Sequence, residues 1–184
     1  SMSFVDLSAP IMQRLADETG TLSLLAVRDG SKLLLVKTWR PANVSSLWLE
    51  VGHRLPFDGS SSGYALLAAL SEDRFEEVVS QVQGDPAFTE ERARQIRKEA
   101  GNQLLSSGFV VADPADYFSP NIHAVSVPFH PRDLGEPVVF SCGAVPRDLT
   151  LSRLRKSVGP SLKASVNELE RIMGMSPGML ESRA

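Results

Sequence analysis

The spacing of apolar side chains along the first forty residues predicts one helix followed by a hairpin. Apolar residues recur at every fourth position within 6–18, which is the spacing of a helix with one buried face, and Gly20 is suited to end that helix. Two apolar runs, 22–27 and 32–39, then flank Asp29-Gly30. This dipeptide is typical of tight turns between antiparallel strands, so the two runs are predicted to pair.

The pattern after this hairpin alternates between strand-like and helix-like segments. A third strand is expected at 47–51, where a short apolar run precedes a polar turn. The remaining predicted helices are 64–70, 71–83, 89–107 and 150–173, and the remaining predicted strands are 109–111, 122–129 and 138–145. This order of helices and strands predicts an α+β fold in which helices pack against one sheet.

Length and composition fit a single domain with a substantial core. The chain has 184 residues, of which 42% are hydrophobic, and its net charge is −3. A negative charge argues against direct binding of nucleic acid, which needs a surplus of Lys and Arg on one face. No apolar run approaches the ~20 residues of a membrane span. A single cysteine excludes an internal disulfide, and we expect a cytoplasmic protein.

The ends of the chain are expected to lie outside the folded unit. Ser1-Met2 reads as the remnant of a tag, so residues 1–3 are assigned to that remnant and the start of the protein. Residues 4–174 form the predicted domain, and residues 175–184 are predicted to be a flexible tail.

One segment carries a resemblance to a known family. Residues 49–57 read LEVGHRLPF and residues 61–68 read SSGYALLA, which place a G-x-x-x-P turn before a small-residue helix start and an apolar helix. This arrangement resembles the IclR-type transcription regulators. Matching motifs follow in the same order along most of the chain, at residues 9–20, 108–113, 124–129 and 136–139.

The resemblance implies the sensing domain of a bacterial regulator rather than an enzyme. It implies a GAF-like antiparallel sheet flanked by helices, a buried pocket for a small-molecule effector, and assembly into homodimers or homotetramers. It also implies that DNA is bound only through an N-terminal winged helix-turn-helix domain preceding residue 1. Binding of the effector would then change the packing of the oligomer and, through it, the binding of DNA.

The helix start at Ser61 and Ser62 is the candidate seat for an effector carboxylate. The first turn of a helix has unpaired backbone N–H groups and the positive end of the helix dipole, so it can hold an anion. Serine is also one of the best helix-capping residues, which offers a purely structural reading. The resemblance favours the carboxylate seat, because ligand carboxylates in that family lie at this helix start.

The resemblance also implies the remaining walls of the pocket. The expected wall residues are Val44, Leu47, Leu55, Ala124, Cys142 and Ala144, with Asp113 at the far end. Because Ala124 and Ala144 stand where small-acid sensors tend to have hydroxyl or thiol groups, a very small polar acid would lack partners. We therefore expect a larger, partly apolar acid, with aromatic acids among the candidates.

Two other functions are compatible with parts of the sequence. Gly59, Ser61 and Gly63 match the G-x-S-x-G motif of serine hydrolases, but no buried strand precedes the serine as that motif requires. The order of Asp113 or Asp116 before His123 or His130 would suit a catalytic triad.

The second alternative is a GAF-type interaction module that binds no effector. The three histidines, His53, His123 and His130, share no spacing typical of metal ligands. We therefore expect neither a metal site nor a cofactor.

Overall fold

One antiparallel sheet lies at the centre of the fold. The computed structural model describes residues 3–42, 49–119 and 121–175. Within these residues the sheet has six strands in the order β3-β2-β1-β6-β5-β4. The strands are β1 (Leu22–Asp29), β2 (Lys32–Trp39), β3 (Arg54–Pro56), β4 (Val110–Val111), β5 (His123–Phe129) and β6 (Val138–Ala144). The predicted antiparallel α+β sheet is confirmed.

Helices cover both faces of this sheet. They are α1 (Phe4–Thr19), α2 (Ser61–Ala69), α3 (Glu72–Val82), α4 (Glu90–Ser106), α5 (Leu151–Arg153) and α6 (Gly159–Ile172). A π-helical turn at Leu154–Val158 joins α5 to α6, just before Pro160, which has no backbone N–H to continue the helical hydrogen bonds. At the ends of the described chain, Ser3 caps α1 and Met175 is buried.

The first hairpin forms as predicted, whereas the third strand is displaced along the chain. Asp29 pairs with Lys32 across the turn, and Gly30 has a φ of 62°. Residues 49–51 form no strand, so the strand expected at 47–51 is wrong for these three residues. Residues 47–48 lie outside the described part of the chain. Strand β3 instead pairs Leu55 with Leu33. It follows the turn at Gly52, whose φ of 96° favours glycine.

The two faces of the sheet bury different sets of side chains. Alternate residues of a strand point to opposite faces, so neighbours in sequence enter different cores. Val125, Phe140 and Cys142 pack in a core with α1 and α6, whereas Val139 packs in a core with α2, α3 and α4. Every residue of β6 is buried, whichever face of the sheet its side chain points to. The sheet is therefore the middle layer of three.

The first turn of helix α2 lies directly against the segment that follows β3 because it contains a glycine. All residues of α2 are buried. A Cβ atom on Gly63 would lie 2.3 Å from the carbonyl oxygen of Phe57, which is closer than any real contact. Ser60 caps the helix by accepting a hydrogen bond from the N–H of Gly63 at 2.9 Å. The close approach at Gly63 and the Ser60 cap together fix the helix start against the segment that follows β3.

Candidate functional site

A small cavity lies between the start of α2 and the centre of the sheet. Its free volume is about 20 Å³, which is room for about one water molecule. The lining residues come from β1, β3, α2, β5, β6 and the segments between them. They are Leu24, Leu49, Leu55, Ser60, Ser61, Ser62, Tyr117, Phe118, Ile122, Ala124, Ser141 and Gly143. The cavity is therefore mostly apolar, with a polar end at the serines.

Buried serines from α2, β5 and β6 form this polar end. The hydroxyl of Ser126 lies 2.8 Å from that of Ser61 and 2.6 Å from that of Ser141. Ser62 lies 2.8 Å from Ser141 and 3.3 Å from Ser126. Each hydroxyl carries one proton and two lone pairs, so these contacts can satisfy all four groups without a ligand. A guest with acceptor oxygens can compete for those protons.

The first turn of α2 adds backbone donors beside the serines. The hydroxyl of Ser60 donates to the carbonyl of Pro56 at 2.7 Å and is fully used in the cap. The N–H groups of Ser61 and Ser62 have no hydrogen-bond partner among the described residues. They lie at the positive end of a buried helix, where an anion is stabilised.

Tyr117 closes the cavity from the edge of the sheet. Its hydroxyl donates to the carbonyl of Ala124 at 2.9 Å and accepts from the N–H of the same residue at 3.0 Å. Burial raises the pKa of Tyr117 to about 12, although hydrogen bonds from Ser61 and Ala124 act in the opposite direction. The phenol is therefore neutral and can both donate and accept.

A polar network on the outer side of α2 holds the loop before the helix. Arg92 binds both carboxylate oxygens of Asp58 at 3.1 Å, and the hydroxyl of Tyr64 donates to Asp58 at 3.0 Å. Burial raises the pKa of Asp58, but the hydrogen bonds from Arg92 and Tyr64 outweigh it, so that pKa lies below its ordinary value. This network positions Gly59 and the serines that follow.

The structure brings several of the sequence-predicted residues to this cavity. Leu55, Ser61, Ser62 and Ala124 all line it. Val44 and Leu47 lie outside the described residues. Ser61 and Ser62, the predicted carboxylate seat, therefore border a cavity. Contact of these residues with an effector stays a prediction.

Cys142 and Ala144 do not face the cavity, which corrects the expectation from the sequence. Both side chains enter the core formed with α1 and α6. Cys142 lies opposite Val125, whereas the neighbouring Ser141 lies opposite Ser126 on the cavity face. A shift of one residue in a strand exchanges its faces. Burial raises the pKa of the Cys142 thiol to about 11.

Asp113 is also displaced from its expected place at the far end of the pocket. Its carboxylate is exposed and accepts the N–H of Ala115 at 2.9 Å, so it caps the 3₁₀ turn Pro114–Asp116. It lines a separate surface cleft of about 500 Å³ beside α4 and α5. The chain reaches the cavity only after this turn, with Tyr117 and Phe118.

The polar end of the cavity is richer than the sequence suggests. Ser141 and Tyr117 line the cavity, and Ser126 contacts Ser61 and Ser141; none of these hydroxyl groups was predicted, so the expected shortage of polar partners is wrong. Ser126 shares its face of β5 with Ala124 because the two are separated by one residue. That spacing is visible in the sequence and could have identified Ser126.

The geometry around Ser61 does not form a hydrolase site. Its hydroxyl contacts Ser126, whereas Nδ1 of His123 lies 2.7 Å from the carbonyl oxygen of Leu149. The Nε2 atom of His130 lies 3.2 Å from the carbonyl oxygen of Ala69. Within residues 3–42, 49–119 and 121–175, no cluster of side chains is suited to hold a metal ion. In the same ranges no helix is long and apolar enough to cross a membrane.

Known regulators are similar to this chain along most of its length. The HTH-type transcriptional regulator TsaQ1/TsaQ2 of Comamonas testosteroni is 22% identical over 91% of this chain, which spans 60% of that protein. The crystal structure of an IclR-family regulator from Brucella abortus matches 94% of this chain and 64% of its own, with a TM-score of 0.77 and 23% identity.

A third relative is an isolated sensing domain. The inducer-binding domain of a double mutant of the transcription factor PobR from Acinetobacter, in complex with 3-hydroxybenzoic acid, matches 91% of this chain and 97% of its own. Its TM-score is 0.69 and its identity is 16%. At such identities the likeness establishes the fold.

The family itself is established by the sequence. Residues 1–94 match the family model described as bacterial transcriptional regulator IclR C-terminal. The proteins of this family are transcription regulators and not enzymes, which confirms the prediction of a domain without catalytic activity. The chain belongs to the IclR family of bacterial transcriptional regulators and corresponds to its C-terminal domain.

Proposed function

We propose that this domain senses an organic acid whose carboxylate binds at the start of α2. The observation that carries the proposal is the pair of N–H groups at Ser61 and Ser62, which have no partner among the described residues and belong to residues that line the cavity. A carboxylate accepts hydrogen bonds from both kinds of donor, and the helix dipole adds a favourable charge interaction. The serine hydroxyls supply further donors once they turn from one another.

The apolar walls select the rest of the ligand. Leu24, Leu55 and Ile122 line the cavity opposite the serines and offer no hydrogen bonds from their side chains. A flat or branched hydrocarbon body gains burial there, whereas a small polar acid leaves the walls unfilled. The 3-hydroxybenzoic acid bound to the PobR domain combines a carboxylate with such a body. Aromatic carboxylic acids are therefore the proposed effector class.

The proposal extends to the full regulator. Effector binding would bias two arrangements of a homodimer or homotetramer, and an N-terminal winged helix-turn-helix domain would transmit that change to DNA in the cytoplasm. Coupling of this kind requires that the ligand bind one arrangement more tightly than the other. Mass measurement and small-angle scattering with and without the acid test it. An unchanged assembly and an unchanged scattering profile would contradict it.

Calorimetric titration with a graded series of acids tests the effector site. Benzoate and 3-hydroxybenzoate should bind, and glyoxylate should bind much more weakly. Ala124→Leu fills the cavity and should abolish binding, while Ala115→Leu, on the exposed 3₁₀ turn, should leave it unchanged. Preferential binding of glyoxylate-sized acids would overturn the aromatic class.

A ligand-free interaction module remains the second candidate, because the cavity of about 20 Å³ is far below the roughly 300–1,000 Å³ of ordinary ligand pockets. A ligand that binds the native state raises its melting temperature. Absence of any shift across a broad acid library would favour the interaction module over the sensor.

A further inference from the structure

Tyr117 lies at the edge of the sheet just beyond the end of β4. Strand β4 ends at Val111, which pairs with Val125, so the following residue on this edge of β5, Ala124, lies beyond the end of β4. The hydroxyl of Tyr117 binds both backbone groups of Ala124, at 2.9 and 3.0 Å. A phenol thus satisfies the N–H and the carbonyl that a longer β4 would have paired.

The same side chain borders the proposed carboxylate seat. Tyr117 and Ser61 line one small cavity. An acid placed at the start of α2 therefore needs the space that the phenol fills, because the remaining free volume is about 20 Å³. The other polar walls belong to α2 and to central strands, whereas Tyr117 belongs to the connection between the 3₁₀ turn and β5.

We propose that Tyr117 is an internal ligand that plugs the effector pocket, and that an aromatic acid binds by displacing its ring. The displaced ring would leave the N–H and carbonyl of Ala124 as a further polar subsite for the effector. This inference rests on the proposed function of the pocket. The Tyr117 side chain is an aromatic ring with a polar end, so a ligand that takes its place should have the same form. This reason for an aromatic effector is independent of the apolar walls.

The contacts of the connection agree with such a movement. Phe118 is 44% exposed, although it lies at the mouth of the cavity. Its N–H donates to the carbonyl of Gly59 at 2.9 Å, and a Cβ on Gly59 would lie 2.8 Å from the carbonyl of Asp116. The connection is therefore held beside the pocket by backbone contacts that do not involve the Tyr117 ring. The hydroxyl bonds to Ala124 hold the ring itself.

The test compares benzoate binding to the unmodified domain, Tyr117→Phe and a control, Gln95→Ala. Removing the Tyr117 hydroxyl weakens the closed state, in which Ala124 then lacks partners. An apparent Kd scales inversely with the fraction of open protein, so benzoate should bind Tyr117→Phe about fivefold more tightly. Gln95 is exposed on α4 and its side chain contacts Glu99 outside the cavity, so Gln95→Ala should match the unmodified domain.

The outcomes separate this inference from the proposed function. If benzoate binds the unmodified domain but binds Tyr117→Phe equally or more weakly, the effector site stands and the plug is overturned. A weaker affinity would mean that the hydroxyl contacts the acid. If benzoate binds neither protein, the proposed function fails, and a second probe decides the fate of the plug.

That second probe is p-cresol, which has the shape of the tyrosine side chain. Truncation in Tyr117→Ala should leave a matching space, so p-cresol should produce a saturable rise in the Tm of this variant and none in the unmodified domain. Tyr117→Leu serves in the same way if the alanine variant does not fold. Toluene, which lacks the hydroxyl, should stabilise less. No response to p-cresol in a folded variant would show that the ring is not a separable ligand.

Discussion

Ser126 of β5 and Ser141 of β6 are paired on neighbouring strands, with 2.6 Å between their hydroxyl oxygens. Both are fully buried, and both also contact the first turn of α2 through Ser62. The polar end of the cavity is thus shared by three elements that are distant in sequence. Each hydroxyl depends on the others for its hydrogen bonds, so the group should respond to substitution as a unit.

Ser126→Ala should therefore destabilise the domain more than a single lost contact suggests. It leaves Ser61, Ser62 and Ser141 with fewer partners, and a buried polar group without a partner costs about 1–3 kcal/mol. Urea unfolding measures the change. Ser152→Ala, on the exposed face of α5, is the control and should change little. Equal effects of the two variants would contradict the shared network, as would additive effects of Ser126→Ala and Ser141→Ala in a double-mutant cycle.

Gly63→Ala should destabilise the domain, although alanine normally stabilises a helix by roughly 0.5–1 kcal/mol relative to glycine. The reason is the 2.3 Å approach of the added Cβ to the carbonyl of Phe57, which is backbone and cannot turn aside. Displacement of α2 should also weaken benzoate binding. Gly30→Ala is the control, because its Cβ meets no atom and only the positive φ of 62° is strained. A smaller loss of stability in Gly63→Ala than in Gly30→Ala would contradict the close approach.

The sequence was most informative where local chemistry decides the structure. Asp29-Gly30 predicts the hairpin because few other dipeptides adopt its turn, and the serines before Tyr64 predict a helix start because they cap one. Both features are confirmed, and the second positions the candidate site. These are short-range effects, so they do not depend on what packs around them.

The faces of β6 could not be predicted in the same way. All its residues are buried, since helices cover both sides of the sheet, so the strand has no polar and apolar alternation to read. The sequence analysis assigned Cys142 to the cavity wall, but Ser141, one residue earlier, lines the cavity. No pattern within the strand distinguishes these two positions. Tyr117 was missed for a different reason, because its role depends on where β4 ends at the sheet edge.

Gln103→Ala should leave the outer backbone groups of β4 without hydrogen-bond partners. The side-chain amide of Gln103 donates to the carbonyl of Val111 at 3.1 Å and accepts its N–H at 2.9 Å, so it takes the place of a neighbouring strand. Loss of both bonds should cost about 1–2 kcal/mol and expose an edge that can pair with other chains. Urea unfolding and light scattering measure the two effects. Gln95→Ala, which removes one exposed contact with Glu99, is the control, and an equal response would refute this role.

Cys142 should be unreactive in the folded domain. Burial raises its pKa to about 11, so little thiolate forms at pH 8, and the side chain lies on the face of the sheet opposite the cavity. Labelling with a thiol reagent should proceed at the rate of opening and become fast in urea. Benzoate should slow it only by stabilising the whole domain. Rapid stoichiometric labelling of the native protein would place the thiol at an accessible surface and contradict the assigned face of β6.

Glu170→Gln should stabilise the domain at neutral pH. Glu170 is 5% exposed and its Oε1 atom has no hydrogen-bond partner; burial raises its pKa, although the charges of Lys163 and Arg171 act in the opposite direction. A carboxyl with a higher pKa in the folded state destabilises it as pH rises from the unfolded pKa through the folded pKa.

The gain from Glu170→Gln should be about 1 kcal/mol at pH 7, or roughly 2–4 °C in Tm. It should shrink below the unfolded pKa of about 4.3, where the carboxyl is protonated in both states. Thermal unfolding from pH 3.5 to pH 8 measures the trend. Glu168→Gln on the same helix, which instead loses an exposed ion pair with Arg14, should show no gain at any pH. A lower Tm of Glu170→Gln at pH 7 would mean that the buried carboxylate is stabilised by a partner it does not have in this structure.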